Sequence, residues 1–185
     1  MKALVFMADG SEDIEALTQV DFLRRVKIDV DVVSLNENKI IETSHKVRIL
    51  CDKFVDEVVD NNYDAIIIPG GLPGATNLGD DNRVLEILKR HYENKKLVCA
   101  ICAGPYALDK AGILNDRNYT CYPGFEMNIK NGKHIDQNVV VDENVITGKG
   151  PALATLFAFS IIENLLGTDA VNSLKAEVLW KDLEK

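Results

Sequence analysis

Short apolar runs alternate along this chain with longer stretches whose apolar positions recur at helical spacing. Residues 2–7 read as a short β run. Residues 13–26 carry Ile14, Leu17, Val20 or Phe22, and Leu23 at the spacing of one helix face. Residues 29–35 alternate like a strand, and residues 55–59 read as a short helix. Residues 65–69 are a buried β run closed by Pro69-Gly70-Gly71, and the stretch from Gly70 to Gly79 is glycine-rich but too short for a linker or a low-complexity segment. Residues 82–92 are amphipathic, with Val84, Leu85, Ile87 and Leu88 apolar, and residues 96–101 form a further β run. A helix over 104–111 has Pro105 in its first turn, where a missing N–H costs least. Residues 139–141 and 145–147 flank Asp142-Glu143-Asn144 as a hairpin, and residues 151–166 and 169–179 close the chain as helices.

Strands that are apolar throughout, each followed by a helix, predict an α/β fold: a mostly parallel central sheet covered on both faces, in one domain over residues 1–185. Sites in such sheets form at the carboxyl ends of the strands, near the switch point of strand order. With 46% hydrophobic and 27% charged residues, the chain has the composition of an ordinary globular protein. Its net charge of −8 repels phosphate backbones and argues against nucleic acid as a partner. Residues 1–10 lack a signal-peptide pattern, because the apolar run breaks at Asp9-Gly10. The most apolar stretch, 152–166, is interrupted by Ser160, Glu163 and Asn164 and falls short of the roughly 18 residues of a membrane span. No membrane partner is expected. Cys51, Cys99, Cys102 and Cys121 without an export signal point to free thiols in a reducing, cytoplasmic compartment.

The strongest chemical signal is Lys96-Leu97-Val98-Cys99-Ala100-Ile101-Cys102-Ala103-Gly104-Pro105. A buried strand runs directly into a helix start, with Cys102 at the junction and small residues two positions to either side. This is the steric logic of a nucleophile elbow, with sulfur in place of a serine oxygen. It projects the side chain into the crevice above the sheet, at a helix N-terminus whose free N–H groups favour thiolate. The competing reading is a structural cysteine that packs as a small hydrophobe. Cys99 and Cys102 are formally a C-x-x-C pair. No second pair follows, and that spacing on a strand puts the two sulfurs on opposite faces, so neither a metal nor a redox pair is expected.

After the first strand, Ser11 is placed to cap the next helix, with Glu12 and Asp13 complementing its dipole. Glu15 lies deeper, beside Ile14 and Ala16. Facing the crevice, it would be desolvated, keep a proton and donate a hydrogen bond to the Cys102 sulfur. Pro69-Gly70-Gly71-Leu72-Pro73-Gly74 lacks the Lys-Ser or Lys-Thr of a phosphate loop, so no nucleotide is expected there. Its glycines allow close backbone approach. The N–H groups of Gly71 and Ala103 are candidates for an oxyanion hole beside the sulfur.

Gly10-x-Glu12-Asp13-x-Glu15, Pro69-Gly70-Gly71, Ala100-Ile101-Cys102-Ala103-Gly104-Pro105, Tyr119-Thr120-Cys121-Tyr122-Pro123-Gly124 and Gly150-Pro151 occur in the order and spacing of the ThiJ/PfpI superfamily. The chain resembles most closely its DJ-one branch, which includes bacterial YajL-like and ThiJ-like proteins. The resemblance implies a flavodoxin-like three-layer sandwich related to class I glutamine amidotransferases, and a homodimer. It implies Cys102 as the reactive thiol, Glu15 hydrogen-bonded to it, and Gly71 and Ala103 as backbone donors. Gly70, Gly104, Tyr122 and Pro151 would line the site. Arg25 matches a position that approaches the partner subunit's site; His45 stands at the other such arginine position. No cofactor or metal is implied. Many members carry a histidine where this chain has Tyr122, so the usual general base for hydrolase or glyoxalase chemistry is missing and a protease is disfavoured. His91 and His134 read as solvated surface residues.

Three functions share these residues. In the first, the Cys102 thiolate senses or buffers oxidants through sulfenate and sulfinate. In the second, a cofactor-independent glyoxalase or deglycase acts on methylglyoxal or its adducts through a Cys102 hemithioacetal. In the third, a chaperone-like dimer is only tuned by the cysteine.

Overall fold

The computed structural model describes residues 1–183; residues 184 and 185, which the one-domain reading includes, lie outside the described residues. The strands are β1 (Lys2–Met7), β2 (Asp29–Ser34), β3 (Ile40–Glu42), β4 (Arg48–Leu50), β5 (Lys53–Phe54), β6 (Ala65–Ile68), β7 (Leu97–Ile101), β8 (Asn118–Tyr119), β9 (Lys133–His134), β10 (Val139–Asp142) and β11 (Val145–Gly148). The helices are α1 (Asp13–Arg25), α2 (Gly74–Asp80), α3 (Asn82–Glu93), α4 (Pro105–Lys110), α5 (Ala154–Leu166) and α6 (Thr168–Glu177).

A seven-stranded sheet runs β10-β11-β7-β6-β1-β2-β5, parallel except for β10 against β11. The strands are fully apolar because both faces are covered. On β1, Ala3, Val5 and Met7 face α1, α5 and α6, while Leu4 and Phe6 face α2, α3 and α4. The chain goes from β1 to β2 on one side and returns to β6 on the other. The switch point therefore falls between β1 and β6, and the carboxyl ends of β1, β6 and β7 frame a crevice. This is the flavodoxin-like α/β architecture expected.

Residues 55–59 hold only a 3-10 turn, Val55–Glu57. The glycine-rich stretch carries no helix signal, yet burial of Ala75 and Leu78 holds α2 helical despite its glycines. The β3–β4 and β8–β9 pairs had no strong sequence signal, being too short for periodicity to declare itself. Helix α1 is capped by Glu12, whose carboxylate accepts the Glu15 N–H at 2.8 Å. Ser11 is buried and accepts the Ala8 N–H instead, at 3.0 Å.

His91 is buried, not solvated. It completes the stripe Val84, Ile87, Leu88, His91 on the inner face of α3. Its Nε2 accepts the Tyr63 N–H at 3.1 Å and its Nδ1 lies 2.7 Å from the Ile87 carbonyl, the pattern of a neutral imidazole with the proton on Nδ1. Burial lowers its pKa from 6.5. His134 is exposed, as expected.

Candidate active site

Cys102 follows β7 directly and adopts φ 63°, the left-handed region that a side chain enters only at a cost. The strain is held from both sides. Its N–H donates to the Gly148 carbonyl at the end of β11 (2.9 Å), and its carbonyl accepts the Tyr122 N–H (3.0 Å). The left-handed turn also breaks strand alternation. Cys102 packs against the α1/α5 layer that buries Cys99, so the two sulfurs are not on opposite faces as the spacing alone predicts. All four cysteines are free thiols, and Cys102 is the one not fully buried.

Glu15, on α1, is completely buried and meets Cys102 over the crevice. Its Oε2 accepts the Gly70 N–H at 2.8 Å, while Oε1 has no hydrogen-bond partner. The carboxyl lies beside the Cys102 thiol, and the two groups influence each other electrostatically. Gly70 makes this possible, since a Cβ there would sit 2.5 Å from Glu15 Oε2 and 2.6 Å from Cys102 Cβ. Gly71, at φ 82°, turns its N–H toward the sulfur, and the Ala103 N–H does the same. The two expected backbone donors are therefore both beside Sγ.

Burial is the largest influence on either acid. It lifts Glu15 to about 7, with the Glu12 carboxylate adding to the rise, against the opposing influence of the Cys102 thiol and the Gly70 N–H. Burial and the Glu15 charge raise the Cys102 thiol as well, while the Ala103 and Gly71 N–H groups pull it down. The thiolate expected from a helix N-terminus is thus opposed: α4 is a short helix with little dipole, and an ionised Glu15 disfavours a second charge beside it. When Glu15 takes up a proton, that repulsion vanishes and the amides alone face the sulfur. The pair acts as one acid that loses its first proton near neutrality and holds the second far more tightly.

Gly104 supports the elbow, with its N–H donating to the Ile101 carbonyl at 2.8 Å. Tyr122 is half-exposed. With Pro151 it lines a shallow groove of about 290 Å³ that also takes in Pro123, Lys149 and Leu153. Sequence reasoning gave Glu12 only a dipole role; here it anchors the Glu15 backbone, a role its three-residue spacing from Glu15 signals. Arg25 is bound within its own chain to Asp21 (2.9 Å) and Glu177 (2.8 Å), and His45 to Asp13 (2.6 Å).

The left-handed cysteine with a buried carboxyl beside it occupies a chain that matches the DJ-1/PfpI family over residues 1–164. The chain belongs to the DJ-1/PfpI family. It is 37% identical over 185 residues to "Parkinson disease protein 7 homolog" of Danio rerio, covering 98% of each chain. It is 31% identical over 184 residues to "Glutathione-independent glyoxalase DJ-1" of Schizosaccharomyces pombe, covering 94% of this chain and 96% of that one. "Protein DJ-1 homolog B" of Arabidopsis thaliana is 36% identical over 167 residues, but the chain spans only 38% of its length. Among solved structures, oxidised DJ-1 of Toxoplasma gondii superposes with a TM-score of 0.93 at 35% identity, covering 96% of this chain and 97% of that one. Among the described residues of this DJ-1/PfpI chain, no helix is long and apolar enough to cross a membrane.

Proposed function

We propose that this chain is a cysteine-dependent enzyme that converts small 2-oxoaldehydes such as methylglyoxal to 2-hydroxy acids without a cofactor. The observation that carries the reading is the Glu15 carboxyl, lifted to about 7 and set beside the Cys102 thiol against Gly70. A carboxylate of that basicity takes the thiol proton as sulfur attacks the aldehyde carbon, so no standing thiolate is needed. The Gly71 and Ala103 N–H groups support the oxygen that becomes negative. Glu15 hands the thiol proton to that oxygen, completing the hemithioacetal. As a carboxylate again, it removes the hydrogen from the former aldehyde carbon and delivers it to the neighbouring carbonyl oxygen, giving an enediol. The first hydroxyl then loses its proton through Glu15 to the neighbouring carbon, leaving a thioester of the 2-hydroxy acid. Water hydrolyses the thioester and frees the thiol, so the sequence consumes one water and no oxidant. With Tyr122 where relatives carry histidine, Glu15 serves each of these proton transfers. The similarity to the fission-yeast protein named as a glutathione-independent glyoxalase supports the reading.

The test is lactate formation from methylglyoxal without glutathione, by the wild type, Cys102→Ser and Glu15→Gln. Turnover by the wild type, none by Cys102→Ser and a loss of about 100-fold or more in Glu15→Gln is the expected outcome. Equal rates in wild type and Cys102→Ser would reject the reading.

A second reading rests on the two amide donors at Sγ. They would hold a sulfinate formed when hydrogen peroxide oxidises the thiol stepwise, each peroxide giving up one oxygen and leaving water. The similarity to an oxidised solved structure supports it. The burial that raises the thiol makes it the slower chemistry here.

We further propose a homodimer. Ile14 and Leu17 on α1 are exposed, as are Val47 and Leu50 around β4, and the Ser44 N–H ties the β3–β4 turn to the start of α1 by donating to the Ser11 carbonyl (3.0 Å). Arg25, at the end of α1, would face the partner subunit. Four free thiols suit a reducing compartment such as the cytoplasm.

A further inference from the structure

We propose that Cys121, Glu126 and His134 form a binding site for Zn2+, separate from the Cys102 chemistry. One donor atom from each residue lies within 4.8 Å of the other two. A thiol, an imidazole and a carboxylate together make the mixed donor set that zinc accepts. Around tetrahedral zinc, bonds of about 2.0–2.3 Å set donors roughly 3.3–3.8 Å apart. Cys121 Sγ is already 4.0 Å from Glu126 Oε2, so a small closing movement of the two outer side chains completes the geometry.

Main-chain bonds build the scaffold before any metal arrives. β8 pairs with β9 so that Tyr119 stands opposite His134, and the Ile135 N–H donates to the Tyr119 carbonyl at 2.7 Å. Cys121 follows two residues after Tyr119. The 3-10 turn Phe125–Asn128 carries Glu126 back over it, held by the Phe125 N–H on the Tyr122 carbonyl (2.9 Å). The Asp109 carboxylate fixes the connecting loop through the Lys130 and Asn131 N–H groups, both at 3.0 Å.

The donors are free to bind. Among the described residues, the Glu126 carboxylate meets no hydrogen-bonding partner except Cys121, and the His134 ring nitrogens meet none. The Cys121 thiol, completely buried, has only the Tyr122 carbonyl at 3.5 Å and this carboxylate. A buried sulfur beneath a half-buried carboxylate and an exposed imidazole gives the ion an approach from solvent and leaves a fourth position for water. Zinc replaces the thiol proton, which leaves to the buffer, and no oxidant is involved. The other cluster of this kind, Glu12, Asp13 and His45, is committed instead: Glu12 caps α1, and Asp13 binds Thr43 and His45. Because the Tyr122 N–H holds the Cys102 carbonyl, metal at Cys121 would stiffen the loop that borders the candidate active site.

Cobalt reports the site directly. The Cys102→Ser protein, which lacks the one partly exposed thiol, is titrated with Co2+ under a non-thiol reductant and then with Zn2+. The expected result is one Co2+ per chain with a thiolate-to-cobalt absorption band, displaced by Zn2+ with release of the cobalt. Cys121→Ser removes the band, His134→Ala weakens binding at least tenfold, and His45→Ala changes nothing. His134 is exposed, so that variant reads the site even where replacing the buried cysteine disturbs folding. Failure of the Cys102→Ser protein to bind cobalt, binding without a thiolate band, unchanged affinity in His134→Ala, or loss of binding in His45→Ala would each overturn the proposal.

Discussion

The carboxyl of Glu15 and the thiol of Cys102 lie side by side against Gly70 beneath the strained turn at the end of β7, and burial lifts the carboxyl to about 7. The pair therefore releases its first proton near neutral pH, and both the chemistry and the stability of the fold inherit that pH dependence.

For the aldehyde reaction, the carboxylate form of Glu15 is the active base. The kcat/KM for methylglyoxal should rise with pH through about 7 and then level off. Glu15→Gln should lack this rising limb. A profile that falls through neutrality would assign the opposite protonation state to the active form.

Stability should run the other way. A carboxyl whose folded value is raised from 4.5 to about 7 binds more protons folded than unfolded across that interval, so its contribution falls as pH rises from about 4.5 to about 7. The full change is about 3 kcal/mol. Urea denaturation at steps from pH 4.5 to 8 should show the wild type losing stability relative to Glu15→Gln. Parallel curves for the two proteins would mean the carboxyl titrates normally.

His91 contributes with the opposite sign. Its folded pKa is lowered, so its stabilisation is complete above about 6.5 and is lost as pH falls through the folded value. Protonation takes away the Nε2 lone pair that accepts the Tyr63 N–H. His91→Ala should cost about 1–3 kcal/mol at pH 8 by leaving that buried N–H unpaired. The gap to wild type should narrow on acidification, as thermal melts at pH 8 and pH 5 would reveal.

Gly70→Ala drives a methyl group into the space between Glu15 and Cys102. The clash is with backbone-anchored atoms at the heart of the pair, so the substitution should cost about 1–3 kcal/mol and abolish methylglyoxal turnover. An alanine variant with wild-type melting temperature and rate would show that the crevice is looser than its contacts indicate.

The proposed dimer places Leu50, 75% exposed here, at a subunit contact. Leu50→Asp should shift the light-scattering mass from twice the chain mass toward one. A wild type that is already monomeric at micromolar concentration would remove the dimer.

Much of this molecule is written in short-range patterns. The apolar runs of β1, β6 and β7 and the stripe on α3 declare the covered sheet, and that stripe includes His91, which the type of residue disguised rather than its spacing. The small residues around Cys102 declare the elbow, because steric room for a left-handed turn is a local property. The companionship of Glu15 is suggested by a carboxylate set where solvation alone has no use for it. Tertiary structure decided the rest. It brought Cys99 and Cys102 to one layer, wound the glycine-rich stretch into α2, set the proton affinity of Glu15 and gathered Cys121, Glu126 and His134 around one point. Periodicity and backbone sterics act over a few neighbouring residues and can be read along a chain. Proton affinity and ligand geometry depend on dielectric and on atoms contributed by distant segments, and those exist only once the chain has packed.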